Sequence, residues 1–329
     1  MSYHSYNRKL WFVLVGAIAG LWLTGCSQSN PTEGNNEKPS VVTTSTMITD
    51  WTEKVGGDEI EVTGILDPGA DPHVYEPVPA DSRAMEDADL IFYNGHNLEP
   101  ELVKVMNGTG ISEEKTLAVA EVITPFDYEY EGQRVPDPHV WGDVENAIKM
   151  VKAIRDRLIE LSPEDKAEFT ENAAQYIEQL KQLDRWIIQQ MQTIPADQRQ
   201  LVTTHDAFQY YARAYGLEVT GTLIGISTEE QPSAQRVKNL SNAVKESKVP
   251  AIFAETTINP ALIKTVAREA KVKLAERELY SDSIGAPNSD ANSYIGMLVV
   301  NTRTIVTALG GNYTKFEQAQ SSQKTSLQR

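Results

Sequence analysis

Residues 162–195 read SPEDKAEFTENAAQYIEQLKQLDRWIIQQMQTIP, a single helical pattern without an internal break. Phe169, Ala173, Tyr176, Leu180, Leu183 and Ile187 follow one another at alternating steps of four and three, which lays them along one face of an α-helix. Ser162 stands where an N-cap is expected, Pro163 at the first helical position and Asp165 in the first turn; no proline recurs before Pro195. At 1.5 Å per residue this segment makes a rod of about 45 Å. Two shorter helices with an unmarked break are the alternative, and the stripe covers too few heptads for a coiled coil.

On both sides of the rod, strand-like runs alternate with helix-like ones. Before it come 41–46, 59–66, 89–93 and 116–120; after it come 200–204, 217–224, 251–255 and 273–280. Strands that alternate with helices form parallel sheets covered on both faces. The expected fold is α/β, with two lobes that each hold a parallel sheet flanked by helices, joined by one long rigid helix. The lobes are expected at 41–161 and 195–311, around a linking helix at 162–194. A polar tail, 312–329, is expected to fray.

The 329 residues suffice for two cores, and 40% hydrophobic with 23% charged residues is ordinary globular usage. The formal net charge is −16 with no run of Lys or Arg, which argues against nucleic acid or an anionic membrane surface as partner. At the N-terminus, Arg8 and Lys9 precede an apolar run from Leu10 to Leu23 that is too short to span a bilayer comfortably and fits a signal-peptide core. The run ends in Leu23-Thr24-Gly25-Cys26, which resembles the lipobox of bacterial lipoproteins; an uncleaved helical anchor is the alternative. The expectation is therefore a signal peptide at 1–25, export, and lipid anchoring of the chain at Cys26, its only cysteine. Residues 26–40, polar and rich in turn formers, read as a flexible tether. A lone cysteine in an exported chain also means no internal disulfide.

Five histidines are present. His4 belongs to the signal peptide, and His96, in Tyr93-Asn94-Gly95-His96-Asn97, reads as an exposed polar residue in a turn. His73 in Asp71-Pro72-His73-Val74-Tyr75-Glu76-Pro77 and His139 in Asp137-Pro138-His139-Val140-Trp141 share an Asp-Pro-His setting. Proline fixes its own φ and restricts the residue before it, so each imidazole follows a stiffened turn, the preorganisation that a metal ligand needs. A purely structural role remains open for either one. His205, in Val202-Thr203-Thr204-His205-Asp206-Ala207-Phe208, leaves a strand for a helix, where open α/β sheets gather ligands; a solvated ring near a helix cap is the alternative. Asp282, beside Ser281, Ser283 and Gly285, could equally be a turn residue.

Taken together, DPHVYEP, DPHVW, TTHDAF, FAET and ELYSDSIG resemble the TroA-like metal receptors of bacterial ABC importers, in the family's order and over nearly the whole chain after the signal peptide. The resemblance implies a metal held between the lobes by His73, His139, His205 and Asp282. Three imidazoles and one carboxylate suit a borderline divalent ion and are too poor in oxygen for calcium or magnesium. Glu255, at a strand end, is the candidate to accept a hydrogen bond from a liganding imidazole, with an ordinary strand-end carboxylate as the alternative. The implied partners are an importer permease and its cytoplasmic ATPase, with the receptor a monomer, periplasmic or at the cell surface, and not an enzyme. Residues 121–138 contain no histidine, no second-lobe disulfide can form, and 216–228 resembles manganese-type members. Manganese is thus favoured, with zinc the alternative because zinc outranks manganese in affinity for nitrogen-rich sites. A surface adhesin and a secreted metallohydrolase are the readings from other classes.

Overall fold

The computed structural model describes residues 38–130 and 133–317. The apolar run, Cys26 and nearly all of the tether lie outside the described residues, as does 318–329. Among the described residues no helix is long and apolar enough to cross a membrane.

The first lobe runs β1 (Ser40–Thr43), α1 (Thr46–Gly56), β2 (Glu61–Gly64), α2 (Pro79–Asp87), β3 (Leu90–Tyr93), α3 (Pro100–Thr109) and β4 (Thr116–Ala118). Its strands form one parallel sheet in the order β2-β1-β3-β4, with Val42 opposite both Thr63 and Ile91. Consecutive residues of β1 are buried on opposite faces. Val41 joins a core with Trp51 and Val55 of α1, whereas Val42 packs with Met85 of α2 and with Leu102 and Met106 of α3. Burial on both faces is why these strands read as continuous apolar runs.

An antiparallel hairpin, β5 (Asp127–Tyr130) with β6 (Gln133–Pro136), follows, then α4 (Val144–Leu161) and α5 (Lys166–Gln192). The apolar stripe of α5 is buried at all six positions. Its start differs from the reading by capping. Ser162 closes α4, donating its N–H to Leu158 O, and its hydroxyl donates to the Asp165 carboxylate. Pro163–Asp165 forms a 3₁₀ turn before α5 begins at Lys166. Because α4 reaches to Leu161, the serine is taken by the end of one helix before it can cap the next.

The second lobe repeats the pattern with β7 (Gln200–Thr203), α6 (Gln209–Tyr215), β8 (Glu218–Thr222), α7 (Ala234–Ser247), β9 (Ala251–Ile252), α8 (Ala261–Ala270), β10 (Lys273–Leu274) and α9 (Tyr294–Ala308). β7 pairs in parallel with β8, and β9 with β10. Just past β9, Phe253 N–H donates to Val202 O at 2.9 Å, so the two strand pairs lie side by side with β9 next to β7. Leu201 faces the core shared with the first lobe, and Val202 faces Val237, Leu240 and Val244 of α7 and Ile263 and Val266 of α8.

That shared core runs through α1, α4, α5, α6 and α9, and buried polar bonds reinforce it. The Asp50 carboxylate of α1 accepts from Tyr176 OH of α5 and Tyr294 N–H of α9, both at 3.1 Å. The start of the tail is not frayed. Tyr313 and Phe316 pack their rings on Trp186 of α5, and Trp186 Nε1–H donates to Thr314 O at 3.1 Å. Two aromatic side chains hold down a stretch whose overall composition is polar.

Candidate metal centre

Four segments, each following a strand, bring polar side chains together. Past β2, a loop carries Asp71 and His73. The 3₁₀ turn at Val140–Gly142 follows His139. β7 leads directly to His205, and the segment after β10 leads to Asp282. One nitrogen or oxygen from each of His73, His139, His205 and Asp282 lies within 4.8 Å of the other three, and all four side chains are buried.

Individual separations are tighter. His73 Nε2 is 3.2 Å from His139 Nε2, His139 Nε2 is 3.4 Å from Asp282 Oδ1, and His205 Nε2 is 3.2 Å from Asp282 Oδ2. A tetrahedral ion with ligands at about 2.1 Å holds its ligand atoms about 3.4 Å apart. The spacing therefore fits one small cation. His205 Nε2 and Asp282 Oδ1 have no hydrogen-bond partner although fully buried, a costly arrangement unless a cation satisfies them.

Two of the three rings are oriented from behind, and His73 is held through its backbone. Asp137 Oδ1 accepts His139 Nδ1–H at 2.8 Å and the His139 backbone N–H at 3.0 Å. Glu255 Oε2 takes His205 Nδ1–H in a short hydrogen bond, while its Oε1 accepts the backbone N–H groups of Thr204 and His205 at 2.8 Å. Asp71 Oδ1 accepts the His73 backbone N–H at 3.0 Å. At His139 and His205 such carboxylates fix the tautomer that leaves Nε2 free to bind a metal and raise its basicity. Glu255 was identifiable as the residue closing its strand. The sequence signal for Asp137 and Asp71 is their place at the head of the repeated Asp-Pro-His motif.

Burial and neighbouring charges pull the rings in opposite directions. Burial drives His73 down to about 3, so it is neutral. Burial also opposes charge on His139, yet Asp137 and Asp282 outweigh it and push that ring up to about 9. At His205 burial is likewise overridden, by Glu255 and Asp282, and its pKa stands well above the ordinary value. Burial alone would raise Asp282, but His205 and His139 hold it well below the usual carboxylate range. Burial, then the charge of Asp282, raises Asp71 to about 6.

The loop bearing Asp282 is bonded across the lobes. Ser283 Oγ accepts Gly69 N–H at 2.7 Å, Thr46 Oγ1 accepts Ile284 N–H at 3.0 Å, and Trp141 Nε1–H donates to Ser281 O at 3.0 Å. The Trp141 ring also meets the His139 ring edge-on. On the other flank Tyr210 OH of α6 donates to Asp137 O at 3.1 Å, and Gly142 lets α6 come close, since a Cβ there would stand 3.0 Å from Tyr211 N. His96 lies apart from the centre. It is half-buried, not exposed as its turn-like setting suggests, because its Nε2 reaches Ala120 O at 3.3 Å.

The profile of the family described as "Zinc-uptake complex component A periplasmic" (ZnuA) matches residues 41–308. The chain belongs to this family. It is 34% identical over 303 residues to the manganese-binding lipoprotein MntA of Halalkalibacterium halodurans, a match covering 92% of this chain and 99% of that one. It is 37% identical over 281 residues to the zinc-binding protein TroA of Treponema pallidum, covering 83% and 89%. Among solved structures, the periplasmic zinc-binding protein TroA from Treponema pallidum superposes with a TM-score of 0.78 at 36% identity, covering 83% of this chain and 99% of that one. Members of the ZnuA family thus share the bilobed α/β fold and the long helix found here, and this chain is a metal-uptake receptor of that kind.

Proposed function

We propose that this chain captures one manganese(II) ion at His73, His139, His205 and Asp282 and delivers it to the permease of an ABC importer. The observation that carries this reading is the convergence of three imidazole nitrogens and one carboxylate, all buried, at separations that fit a single ion. Four protein ligands also leave no open position of the kind that catalytic zinc keeps for water, which favours a carrier over a hydrolase.

Manganese is favoured over zinc on three grounds. Residues 121–138 carry no histidine and contain the short hairpin β5-β6; the chain has no pair of cysteines to bridge in the second lobe; and the match to MntA covers 92% of this chain. Zinc remains the second reading, because a nitrogen-rich set binds zinc more tightly than manganese and TroA carries a zinc-binding description. In this proposal residues 1–25 direct export, Cys26 carries lipid, 26–40 tether a monomer, and the lobes at 41–161 and 195–311 flank the helix at 162–194. The protein then works in the periplasm or at the cell surface.

Elemental analysis of protein purified without chelators tests the reading, with manganese and zinc competed against each other and cellular metal content compared after gene deletion. One metal per chain and a fall in cellular manganese are expected. Absence of stoichiometric metal would refute the receptor reading, and a fall in zinc alone would move it to zinc.

A further inference from the structure

None of the four converging residues is more than 3% exposed, so an ion must cross protein to reach them. A cavity of about 330 Å³ has Asp71, Thr204, Thr228, Glu230 and Leu262 in its wall, so chain neighbours of two of the converging residues line it. Asp71 lies two residues before His73 and Thr204 one before His205, so the wall carries a near neighbour of one ligand from each lobe. The Thr204 hydroxyl is buried, 1% of the residue being exposed, and has no hydrogen-bond partner. An unsatisfied oxygen in such a position suits a passing ion or its water.

The two carboxylates in the wall differ. Glu230 is engaged, accepting Gly225 N–H at 2.8 Å and pairing with Arg236 at 3.1 Å. Asp71 accepts His73 N–H and lies against the Thr228 hydroxyl, and no Lys or Arg pairs with it among the described residues. A carboxylate with no Lys or Arg partner, in a confined space near a low-dielectric centre, concentrates divalent ions there. Manganese and zinc ions arrive hydrated and shed water stepwise, and an oxygen ligand can replace one water before nitrogen replaces the rest.

We infer that this cavity is the route by which the ion enters, and that Asp71 holds the partly dehydrated ion before His73 and His205 take it. The inference rests on the receptor reading above. In the exchange, one water leaves as an Asp71 oxygen binds, and that oxygen is released when the imidazoles close on the metal.

Rapid mixing of the full chain with Mn²⁺, followed by release into a chromogenic chelator, tests it. Asp71→Asn keeps an acceptor for His73 N–H and removes the charge; its association rate should fall about tenfold and lose most of its dependence on ionic strength. Leu262→Phe, at an exposed position that poses no folding problem, narrows the cavity; it should slow association and release by similar factors and leave Kd within about twofold. Unchanged association in both variants overturns the inference, as does a loss in Asp71→Asn carried wholly by faster release. Failure of the unmodified chain to bind Mn²⁺ would refute the receptor reading instead.

Discussion

Asp137 holds His139 at two points, with one carboxylate oxygen accepting both the ring Nδ1–H and the backbone N–H of the residue two positions on. Ring rotation and loop conformation are thereby fixed by the same atom. Asp137→Asn retains an acceptor but loses the charge that makes the ring basic, so metal affinity should fall roughly 10- to 100-fold with little change in fold. Calorimetric titration with Mn²⁺ checks this; unaltered affinity would remove Asp137 from the site's working parts.

Metal capture should be a proton exchange. At pH 7 the metal-free chain keeps His139, raised to about 9, and His205, raised well above its ordinary value, protonated, while His73 is neutral. Both charged rings must lose a proton to bind, so about two protons should leave per ion at pH 7, and affinity should climb until about pH 9. Titration in buffers of different ionisation enthalpy measures the number. For the metal-free fold the sign runs the other way: a histidine raised from 6.5 to about 9 adds stability that is fully present below 6.5 and lost as pH rises through about 9. Melting of the metal-free chain should therefore drop across that window. Binding without proton release would contradict the charge arrangement.

Replacing His73, His139 or His205 with Ala should each weaken metal binding by more than about 100-fold, beyond the usual effect of losing a ring's hydrogen-bond partner. His96→Ala should leave affinity nearly unchanged, because its ring contacts Ala120 O and not the centre. Equal losses at His96 and His139 would show that the ligand set is misassigned.

Ser283→Ala leaves Gly69 N–H without its acceptor and should cost about 1–3 kcal/mol. Because Ser283 adjoins Asp282, hydrogen exchange should quicken at residues 281–285 and at 69–73 together. Faster exchange confined to one of these segments would mean that Ser283 does not couple the lobes.

Much of the fold was legible because its signals are local. All eight strands occur where apolar runs stand, though shorter: β1 stops at Thr43 because Ser45 caps α1, and β10 has only two residues. The hairpin β5-β6 was not foreseen. The turn-former-rich segment 281–292 reads as loosely held, yet 281–285 is buried through bonds to Gly69, Thr46 and Trp141, partners more than 130 residues away. Asp282 escapes local reading for the same reason. Its meaning lies in what the other lobe brings to it, and only the family resemblance singled it out in advance.

Trp141 joins the rear of one imidazole to the carbonyl beside the carboxylate from the opposite lobe, and it is 3% exposed. An excited indole responds to charge next to its ring, and that charge changes when the protons on His139 and His205 give way to a divalent ion. Trp51 is buried against Tyr294, and Trp186 lies under the docked tail, so both supply a steady background. The chain thus carries an intrinsic optical gauge of its own occupancy, readable as a change in ultraviolet emission without any added dye.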